Sequence, residues 1–313
     1  MKEKKIPPKI PPRLTVLLAS RSTQAIVICR HTSKRTVVIG WDRKTDEFEV
    51  GQWFKGKIYP YNSDISPDGK YWIYFAMSGS ARMYAFLDKA YPGALDFYYT
   101  VLAKVPYLKA LDFYPRYNNW HSTHGGGLFL SNRKYLVSHS KHDSICRYWV
   151  NYSKISDVRI CKGLPTERKT SRFEVERNDG QKPSSESAFS NEYFWRLKRD
   201  GWQDKGYKSN GSEYQTFYKN VNDYWCLIKV FHWDVNHPIG RGYQYESYKM
   251  HNKKSRETTE YPNWEWADRD GDRVVWAENG KIFSGKVTSE SLNEIQELFD
   301  TTSLQFEALK APY

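Results

Sequence analysis

The sequence predicts an all-β protein made of repeated antiparallel units, on three observations. The block at residues 59–75, YPYNSDISPDGKYWIYF, aligns without a gap with residues 261–277, YPNWEWADRDGDRVVWA. Aromatic residues make up 16% of the 313 residues, and aromatic side chains favour strands. Most apolar runs are short and bounded by turn residues, which is typical of strands rather than helices. A chain of this length can bury a large core, either as one domain of repeats or as two domains.

Both copies of the block contain a predicted hairpin turn. In the first copy, Asp68 can hydrogen-bond its own backbone and Gly69 can adopt positive φ. These are the requirements of a type I turn closed by a glycine bulge. Equivalent turns are predicted at positions 132, 200 and 270, so the four turns are 64, 68 and 70 residues apart. A near-constant period indicates a repeat architecture.

The segments around these repeats are also predicted from their composition. Residues 1–13 contain KIPPKIPP and form a basic, proline-rich arm. Residues 14–56 contain four strand-like runs separated by short polar turns, which predicts a four-stranded meander. Residues 163–190 are polar, with clustered Gly, Pro and Ser, and are predicted to be a long insertion.

One helix is predicted, near the C-terminal end of the sequence. Residues 289–299 place Leu292, Ile295 and Leu298 on one helical face after a serine start. Residues 304–309 then alternate apolar and polar side chains, which predicts a strand that closes the last repeat unit.

The strand at residues 71–76 is apolar on both faces, so it must be covered on both sides. A parallel α/β sheet would also cover both faces, but it needs a helical crossover after each strand, and the sequence lacks that pattern. In a β-propeller, each blade is covered by its neighbours. The sequence therefore predicts a β-propeller of five blades, or six if another blade lies within 80–120. The predicted blades are 14–56, 57–115, 118–162, 191–250 and 258–310, in a single domain spanning 14–313.

Several motifs support this interpretation by resemblance. Residues 64–76, DISPDGKYWIYFA, resemble the SPDG-type, WD-like repeats of bacterial propellers such as the one in the Tol translocation system. Nearly the whole chain beyond residue 12 is similar to a family of uncharacterised bacterial propeller-like proteins, and this resemblance implies the fold but no activity. The matching motifs are GWDRKTD (40–46), GQWFKGKIY (51–59), SPDGKYWIYFA (66–76), GGGLF (125–129), RDGW (199–202), GRGY (240–243), WEWADRDGDRVVWAE (264–278) and FEALKAPY (306–313).

Cysteine usage and hydropathy predict the compartment. Cys29, Cys146, Cys161 and Cys226 are scattered without a C-x-x-C pair, which favours reduced thiols over a disulfide framework or a zinc site. No span approaches the ~20 apolar residues of a membrane helix. The apolar run at 14–19 is short and follows two proline pairs, which does not fit a signal peptide. We therefore expect a cytoplasmic monomer with no cofactor and no membrane association.

Propeller geometry predicts where a ligand would bind. The innermost strand of each blade precedes the Asp-Gly turn, so residues roughly five to ten positions before each turn converge on one mouth of the channel. Aromatic, carboxylate, His and Asn side chains there suit a small polar ligand or a peptide. The alternative is that they fill the channel with satisfied polar contacts. The candidate binding residues are Tyr61, Asn62, Trp120, His121, His124, Trp264 and Glu265.

A catalytic hypothesis rests on three carboxylates. Asp64, Glu192 and Glu265 lie on predicted inner strands of three different blades. Five-bladed propeller glycosidases place a general acid and a base or nucleophile in this manner. The three residues do not occupy equivalent repeat positions, so the sequence favours a protein without catalytic activity and leaves the enzyme as the alternative.

A metal hypothesis rests on four histidines. His121 and His124 precede the third hairpin turn, and His139 and His142 follow it, so imidazoles could gather at one end of that blade. Neutral imidazole suits zinc, copper or nickel. Lys141 lies between them and repels a cation, so surface histidines without a metal are the favoured interpretation.

The charge balance suggests the class of partner. The net charge is +12, but the 48 Lys and Arg residues are spread along the chain among 36 acids. Tryptophan and tyrosine could stack on nucleic-acid bases, yet no nucleic-acid-binding motif is present. The sequence therefore predicts a non-enzymatic binding scaffold for an acidic protein or a small polar ligand. A glycoside hydrolase-like enzyme and a nucleic-acid-binding module are the alternatives.

Overall fold

The computed structural model describes residues 10–92, 94, 97–116, 125–141, 144–151, 191–209, 213–234, 236–238 and 240–313. These residues form twenty strands and two helices, so the all-β class predicted from the sequence is confirmed. In every sheet the strand order follows the chain, as it does in a meander. Meanders of this kind are the blades of β-propellers.

Three sheets form before residue 152. Sheet 1 contains β1 (Arg13–Leu18), β2 (Gln24–Thr32), β3 (Arg35–Asp42) and β4 (Glu47–Lys55). Sheet 2 contains β5 (Lys57–Ile65), β6 (Tyr71–Met77), β7 (Tyr98–Lys104) and β8 (Asp112–Pro115), with helix α1 (Ala81–Ala90) between β6 and β7. Sheet 3 contains β9 (Gly127–Ser131), β10 (Lys134–Lys141) and β11 (Ser144–Asn151).

Two further sheets follow helix α2 (Asn191–Arg199). Sheet 4 contains β12 (Gln203–Ser209), β13 (Glu213–Asn220), β14 (Trp225–Trp233), β15 (Gln244–Asn252) and β16 (Thr258–Tyr261). Sheet 5 contains β17 (Trp264–Asp270), β18 (Arg273–Glu278), β19 (Lys281–Val287) and β20 (Leu292–Asp300).

The number of complete blades differs from the prediction. A propeller blade has four strands. Sheets 1, 2, 4 and 5 contain at least four, whereas sheet 3 contains three within the described residues. Four complete blades are thus present in the described residues, which differs from the predicted count of five, or six. No additional blade lies in the described part of 80–120, where α1 and β7 occupy the chain.

The residues separate into two compact units. The large unit comprises Val16–Gly201 and Phe306–Tyr313, and therefore most of sheet 1 with sheets 2 and 3. The small unit comprises Met1–Thr15 and Trp202–Gln305, and therefore sheets 4 and 5. A single domain over 14–313 stays a prediction.

Strand β6 organises the core of the large unit. Trp72 and Tyr74 pack in one apolar cluster with side chains of sheet 1, including Val38. Ile73 packs in a second cluster with Phe129 and other side chains of sheet 3. Both faces of β6 are therefore buried, as its sequence pattern predicted.

The predicted turn after β5 forms as expected. Gly69 adopts φ +74°, and its N–H donates to Ser66 O at 2.8 Å. The Asp68 N–H donates to the Asn132 side chain at 3.0 Å, so two predicted turn positions touch each other. Gly271 adopts φ +63° at the equivalent turn between β17 and β18. Both glycines occupy the left-handed region that ordinary residues avoid.

The predicted hairpin around residue 200 is wrong, because this segment is helix α2. Tyr193 and Leu197, one helical turn apart, are both buried. Gly201 adopts φ +88°, and its N–H donates to Lys198 O at 3.1 Å. Glycine in this conformation ends a helix as readily as it closes a hairpin.

The predicted helix at 289–299 is also wrong, because strand β20 occupies this segment. Two register irregularities interrupt the pairing of β19 with β20, and Glu294 has φ +49°. A bulge places two residues opposite one and disturbs the alternation of side chains. The apolar spacing of three that suggested a helix therefore comes from a bulged edge strand.

The predicted closing strand at 304–309 does not form. Strand β20 is the outer strand of sheet 5 instead. The Phe306 ring lies 6.1 Å from the Trp53 ring, and Gln52 Nε2 donates to Leu309 O at 2.8 Å. Residues Phe306–Tyr313 therefore pack within the large unit without forming a strand.

Alanine at the two turn glycines should have unequal effects. A Cβ at Gly69 would lie 2.3 Å from Gln24 Cβ, whereas a Cβ at Gly271 would meet open space. Gly271→Ala should lower the free energy of unfolding by about 1–2 kcal/mol through backbone strain alone. Gly69→Ala should cost about 1–3 kcal/mol more, because overpacking adds to that strain. Urea denaturation measures both.

The matched control is Gly271→Asn, because asparagine tolerates positive φ and this variant should lose less stability than Gly271→Ala. Equal losses for Gly69→Ala and Gly271→Ala would contradict the crowding at the first turn.

Candidate functional site

Asp64 forms a buried ion pair in the large unit. Its carboxylate, 1% exposed, accepts hydrogen bonds from both terminal nitrogens of Arg199, at 2.6 and 2.9 Å, and from Phe129 N at 2.7 Å. Burial works against the charged guanidinium, but Asp64 and Asp200 outweigh it and raise the pKa of Arg199 above its usual value. The pair connects β5, β9 and the end of α2.

Three other predicted site residues lie around β5 and α2. Glu192 is buried on α2, and not on a strand as the sequence predicted. The Tyr61 ring contacts the Tyr193 ring of α2 at a centroid distance of 4.9 Å. Asn62 Nδ2 donates to Gly125 O at 3.0 Å. These side chains contribute to packing between elements of the large unit.

Trp264 and Glu265 belong to the small unit, at the start of β17. The buried Trp264 ring stacks on Tyr261 at 3.9 Å. Glu265 accepts hydrogen bonds from Arg13 Nη1 at 3.1 Å and from Leu14 N at 3.0 Å, one on each oxygen. Burial raises the pKa of Glu265, and the contacts with Arg13 and Leu14 partly oppose this shift. Glu265 thus fixes the beginning of β1.

Four of the predicted site residues, Trp120, His121, His124 and His142, lie outside the described residues, and for His139 only the backbone on β10 is described. In the part of the chain that the structure describes, no group of three or more His, Cys, Asp or Glu side chains could hold a metal ion. The metal hypothesis stays a prediction. Cys29 and Cys226 are both buried.

A cleft of about 750 Å³ lies at one end of sheets 1 and 2, within the large unit. The β3–β4 hairpin, the turn containing Gly69 and the β7–β8 connection surround it. None of the binding or catalytic residues predicted from the sequence lines it. Its aromatic lining residues are Trp41, Phe48, Tyr71, Tyr107 and Tyr313, its carboxylates are Asp42, Glu47, Glu49 and Asp68, and its amines are Lys70 and Lys104.

The β7–β8 connection is held firmly against sheets 1 and 2. The Trp72 indole N–H donates to Tyr107 O at 2.8 Å, and the Tyr74 hydroxyl donates to Leu108 O at 2.8 Å. From sheet 1, Gln52 Oε1 accepts a hydrogen bond from Leu108 N at 2.7 Å. Side chains from two sheets therefore fix the position of Tyr107, which preorganises one wall of the cleft.

Tyr313 completes the aromatic wall. Its hydroxyl donates to Lys109 O at 2.9 Å and accepts a hydrogen bond from Lys104 N at 3.2 Å. The Lys104 and Lys109 ammonium groups lie 4.7 and 5.1 Å from the centre of its ring. Burial raises the pKa of Tyr313, so this side chain is a neutral phenol at physiological pH.

The four carboxylates of the cleft accept hydrogen bonds from neutral groups. The Thr23 hydroxyl and the Lys44 backbone N–H lower the pKa of Asp42 below its usual value. Hydrogen bonds of this kind favour the ionised form without cancelling its charge. The Thr23 hydroxyl donates to Asp42 at 2.7 Å, and the Thr45 hydroxyl donates to Glu47 at 3.2 Å. The Ser66 hydroxyl donates to Asp68 at 2.7 Å, and the Tyr107 hydroxyl donates to Glu49 at 3.0 Å.

Comparisons with known proteins give only weak structural similarities. No protein-family description and no curated protein sequence matches the chain. Among solved structures, the isopeptidase AtxE2 with bound astexin3-dC4 matches over 93% of this chain and 53% of its own, at 9% identity and a TM-score of 0.37. The GH43 protein BlXynB from Bacillus licheniformis matches over 92% and 52%, at 8% identity and a TM-score of 0.33.

An uncharacterized protein from Listeria monocytogenes EGD-e matches over 91% of this chain and 66% of its own, at 7% identity and a TM-score of 0.28. The chain spans less than two thirds of the length of each of these three chains. Similarities at this level carry no argument about activity. No helix in the described ranges is long and apolar enough to cross a membrane.

Removing the charge of Asp64 should destabilise the large unit. Asp64→Asn leaves the largely buried Arg199 guanidinium with reduced compensation, and we expect a loss of about 3–5 kcal/mol in the free energy of unfolding. Chemical denaturation followed by tryptophan fluorescence measures this loss. Asp88→Asn makes the same chemical change at an exposed position of α1 and should change stability by less than about 0.5 kcal/mol. Similar stabilities of the two variants would refute the structural role of the ion pair.

Proposed function

We propose that this protein is a non-enzymatic binding scaffold whose cleft in the large unit binds a ligand carrying an ammonium or guanidinium group. The observation that carries this proposal is the combination of five aromatic side chains and four carboxylates around one cleft of about 750 Å³. Concave sites that combine apolar walls with a few placed polar groups are the usual form of small-ligand sites.

The chemistry of the lining favours a cation. Aromatic faces attract cations at about 0.5–2 kcal/mol per contact, and the carboxylates add charge-assisted hydrogen bonds. Lys70 and Lys104 also line the cleft, so the carboxylates outnumber the amines by two. Tyr107 connects both features, because its hydroxyl donates to Glu49 while its ring faces Tyr313.

The hydrogen bonds of two candidate catalytic carboxylates, Asp64 and Glu265, support binding rather than catalysis. Both oxygens of Asp64 and both oxygens of Glu265 accept hydrogen bonds from arginine or backbone N–H groups. A general acid or nucleophile needs an oxygen within reach of the substrate. The glycosidase alternative therefore receives no support from these two residues.

The proposed ligand is more specific than the ligand class expected from the sequence. The small polar ligand expected from the sequence is here a cationic one, and a short basic peptide segment satisfies this chemistry. The resemblance to SPDG-type propellers is compatible with a scaffold role. Binding of an acidic protein rests on the net charge of +12, and it remains a prediction about other surfaces.

A pair of peptides tests the cation requirement. We expect an N-acetylated, C-amidated tripeptide with central arginine to bind, and its citrulline counterpart, which is neutral and nearly isosteric, to bind at least tenfold more weakly. Isothermal titration calorimetry measures both affinities. Glu47→Gln and Glu49→Gln should each weaken arginine-peptide binding severalfold, because both side chains are exposed at the rim and the changes remove only charge.

Glu290→Gln is the matched control, because Glu290 is an exposed residue of the small unit. This variant should bind the arginine peptide as the unmodified protein does. Equal affinity for the citrulline peptide would refute the cation requirement, and preference for a glutamate peptide would support the acidic-partner alternative instead.

A further inference from the structure

The charged side chains that line the cleft are separated by sign. Asp42, Glu47 and Glu49 belong to the β3–β4 hairpin of sheet 1. Lys70 and Lys104 come from sheet 2, where Lys70 directly precedes β6 and Lys104 ends β7. The cleft therefore has an acidic side on sheet 1 and a basic side on sheet 2.

The two lysines of the basic side have adjacent backbones. Lys70 O accepts a hydrogen bond from Val105 N at 3.1 Å, and Tyr71 and Lys104 are paired residues of β6 and β7. Asp68 also lies on this side, where its carboxylate accepts a hydrogen bond from the Lys70 backbone N–H at 3.2 Å. The basic side thus contains two lysine side chains and one carboxylate.

Two tyrosine rings connect the basic side with the acidic side. The Lys104 ammonium lies 4.7 Å from the centre of the Tyr313 ring. The Tyr313 ring lies 5.9 Å from the Tyr107 ring, and the Tyr107 hydroxyl donates to Glu49 at 3.0 Å. A cation and a carboxylate therefore flank one aromatic wall.

The charges of the two sides do not neutralise each other. In the part of the chain that the structure describes, the side chains of Lys70 and Lys104 form no ion pair, and neither do those of Glu47 and Glu49. Lys70, Glu47 and Glu49 are exposed, and Lys104 is half-buried. Opposite charges held apart in one cleft can both be paired by a ligand that carries both signs.

We propose that the cleft binds the C-terminal arginine or lysine of a peptide, with the side-chain cation at the acidic side and the α-carboxylate at the basic side. This inference rests on the proposed function and adds the requirement for a carboxylate. The carboxylate accepts charge-assisted hydrogen bonds from Lys70 and Lys104, and the apolar stem of the ligand residue packs on the rings of Tyr107 and Tyr313. A free amino acid fits less well, because its α-ammonium would be repelled by the two lysines.

The dipeptide acetyl-Gly-Arg tests the inference when it is compared as the free acid and as the C-terminal amide. Isothermal titration calorimetry should show at least threefold tighter binding of the free acid, because ion pairs with partly exposed lysines contribute modestly. The double variant Lys70→Met/Lys104→Met should lose this preference. Its affinity for the amide should be unchanged or slightly higher, because the lysines repel the cation of the peptide.

The matched control is Lys34→Met/Lys109→Met, which removes the same number of charges. The Lys109 ammonium lies 5.1 Å from the centre of the Tyr313 ring, but Lys109 does not line the cleft. Lys34 is exposed in the β2–β3 turn, at the end of β3 farther from Asp42. This variant should keep the preference for the free acid.

The amide separates this inference from the proposed function. If the amide binds and the free acid binds no tighter, the carboxylate requirement is overturned while the cation site stands. A preference that persists in Lys70→Met/Lys104→Met would also overturn the inference. If neither peptide binds, the proposed function fails and the inference fails with it.

Discussion

The burial of both faces of β6 is the constraint on which the large unit depends. Trp72 and Tyr74 face the side chains of sheet 1, and Ile73 faces those of sheet 3. A strand that is apolar on both faces loses stabilisation if either face meets water, at about 25 cal/mol per Å² of exposed apolar surface. Sheet 2 must therefore lie between two other sheets. The same tryptophan and tyrosine also hold the β7–β8 connection with their polar atoms, so one strand fixes both the core and a wall of the cleft.

The Asp-Gly dipeptides predicted positive φ at the glycine correctly, but they did not show whether the glycine closes a hairpin or ends a helix. Gly69 and Gly271 adopt the positive φ that the Asp-Gly dipeptide predicted. Gly201 also adopts positive φ after an aspartate, but there it ends helix α2. The dipeptide predicts only the backbone conformation of the glycine. The residues that precede it determine whether a strand or a helix ends there. Tyr193 and Leu197 are four residues apart, a spacing that is typical of one face of a helix. The hairpin at this position was predicted from the spacing of the turns instead.

The candidate site was not predictable from sequence, because its parts become neighbours only through the pairing of sheets. The cleft combines residues around 41–49, 68–71 and 104–107 with Tyr313. In the sequence, Glu47 and Glu49 look like solvated residues of a hairpin, and nothing places Tyr107 beside them. Asp64 illustrates the same limit, because its location on a strand was correct while its partner Arg199 lies 135 residues away. A carboxylate that suggested acid catalysis in the sequence is an ion-pair partner in the structure.

The net charge of +12 conceals an acidic cleft, whose lining contains four carboxylates and two amines. Strand β7 begins with Tyr98 and ends with Lys104, which lines the cleft. Its seven residues span about 20 Å at ~3.3 Å per residue. The Debye length at physiological ionic strength is about 8 Å, so solvent-exposed charges at the two ends are largely screened from each other. A cationic ligand at the cleft therefore experiences the local side chains rather than the total charge of the protein. For this reason net charge alone cannot assign the partner, and the acidic rim of the cleft is compatible with a strongly basic protein.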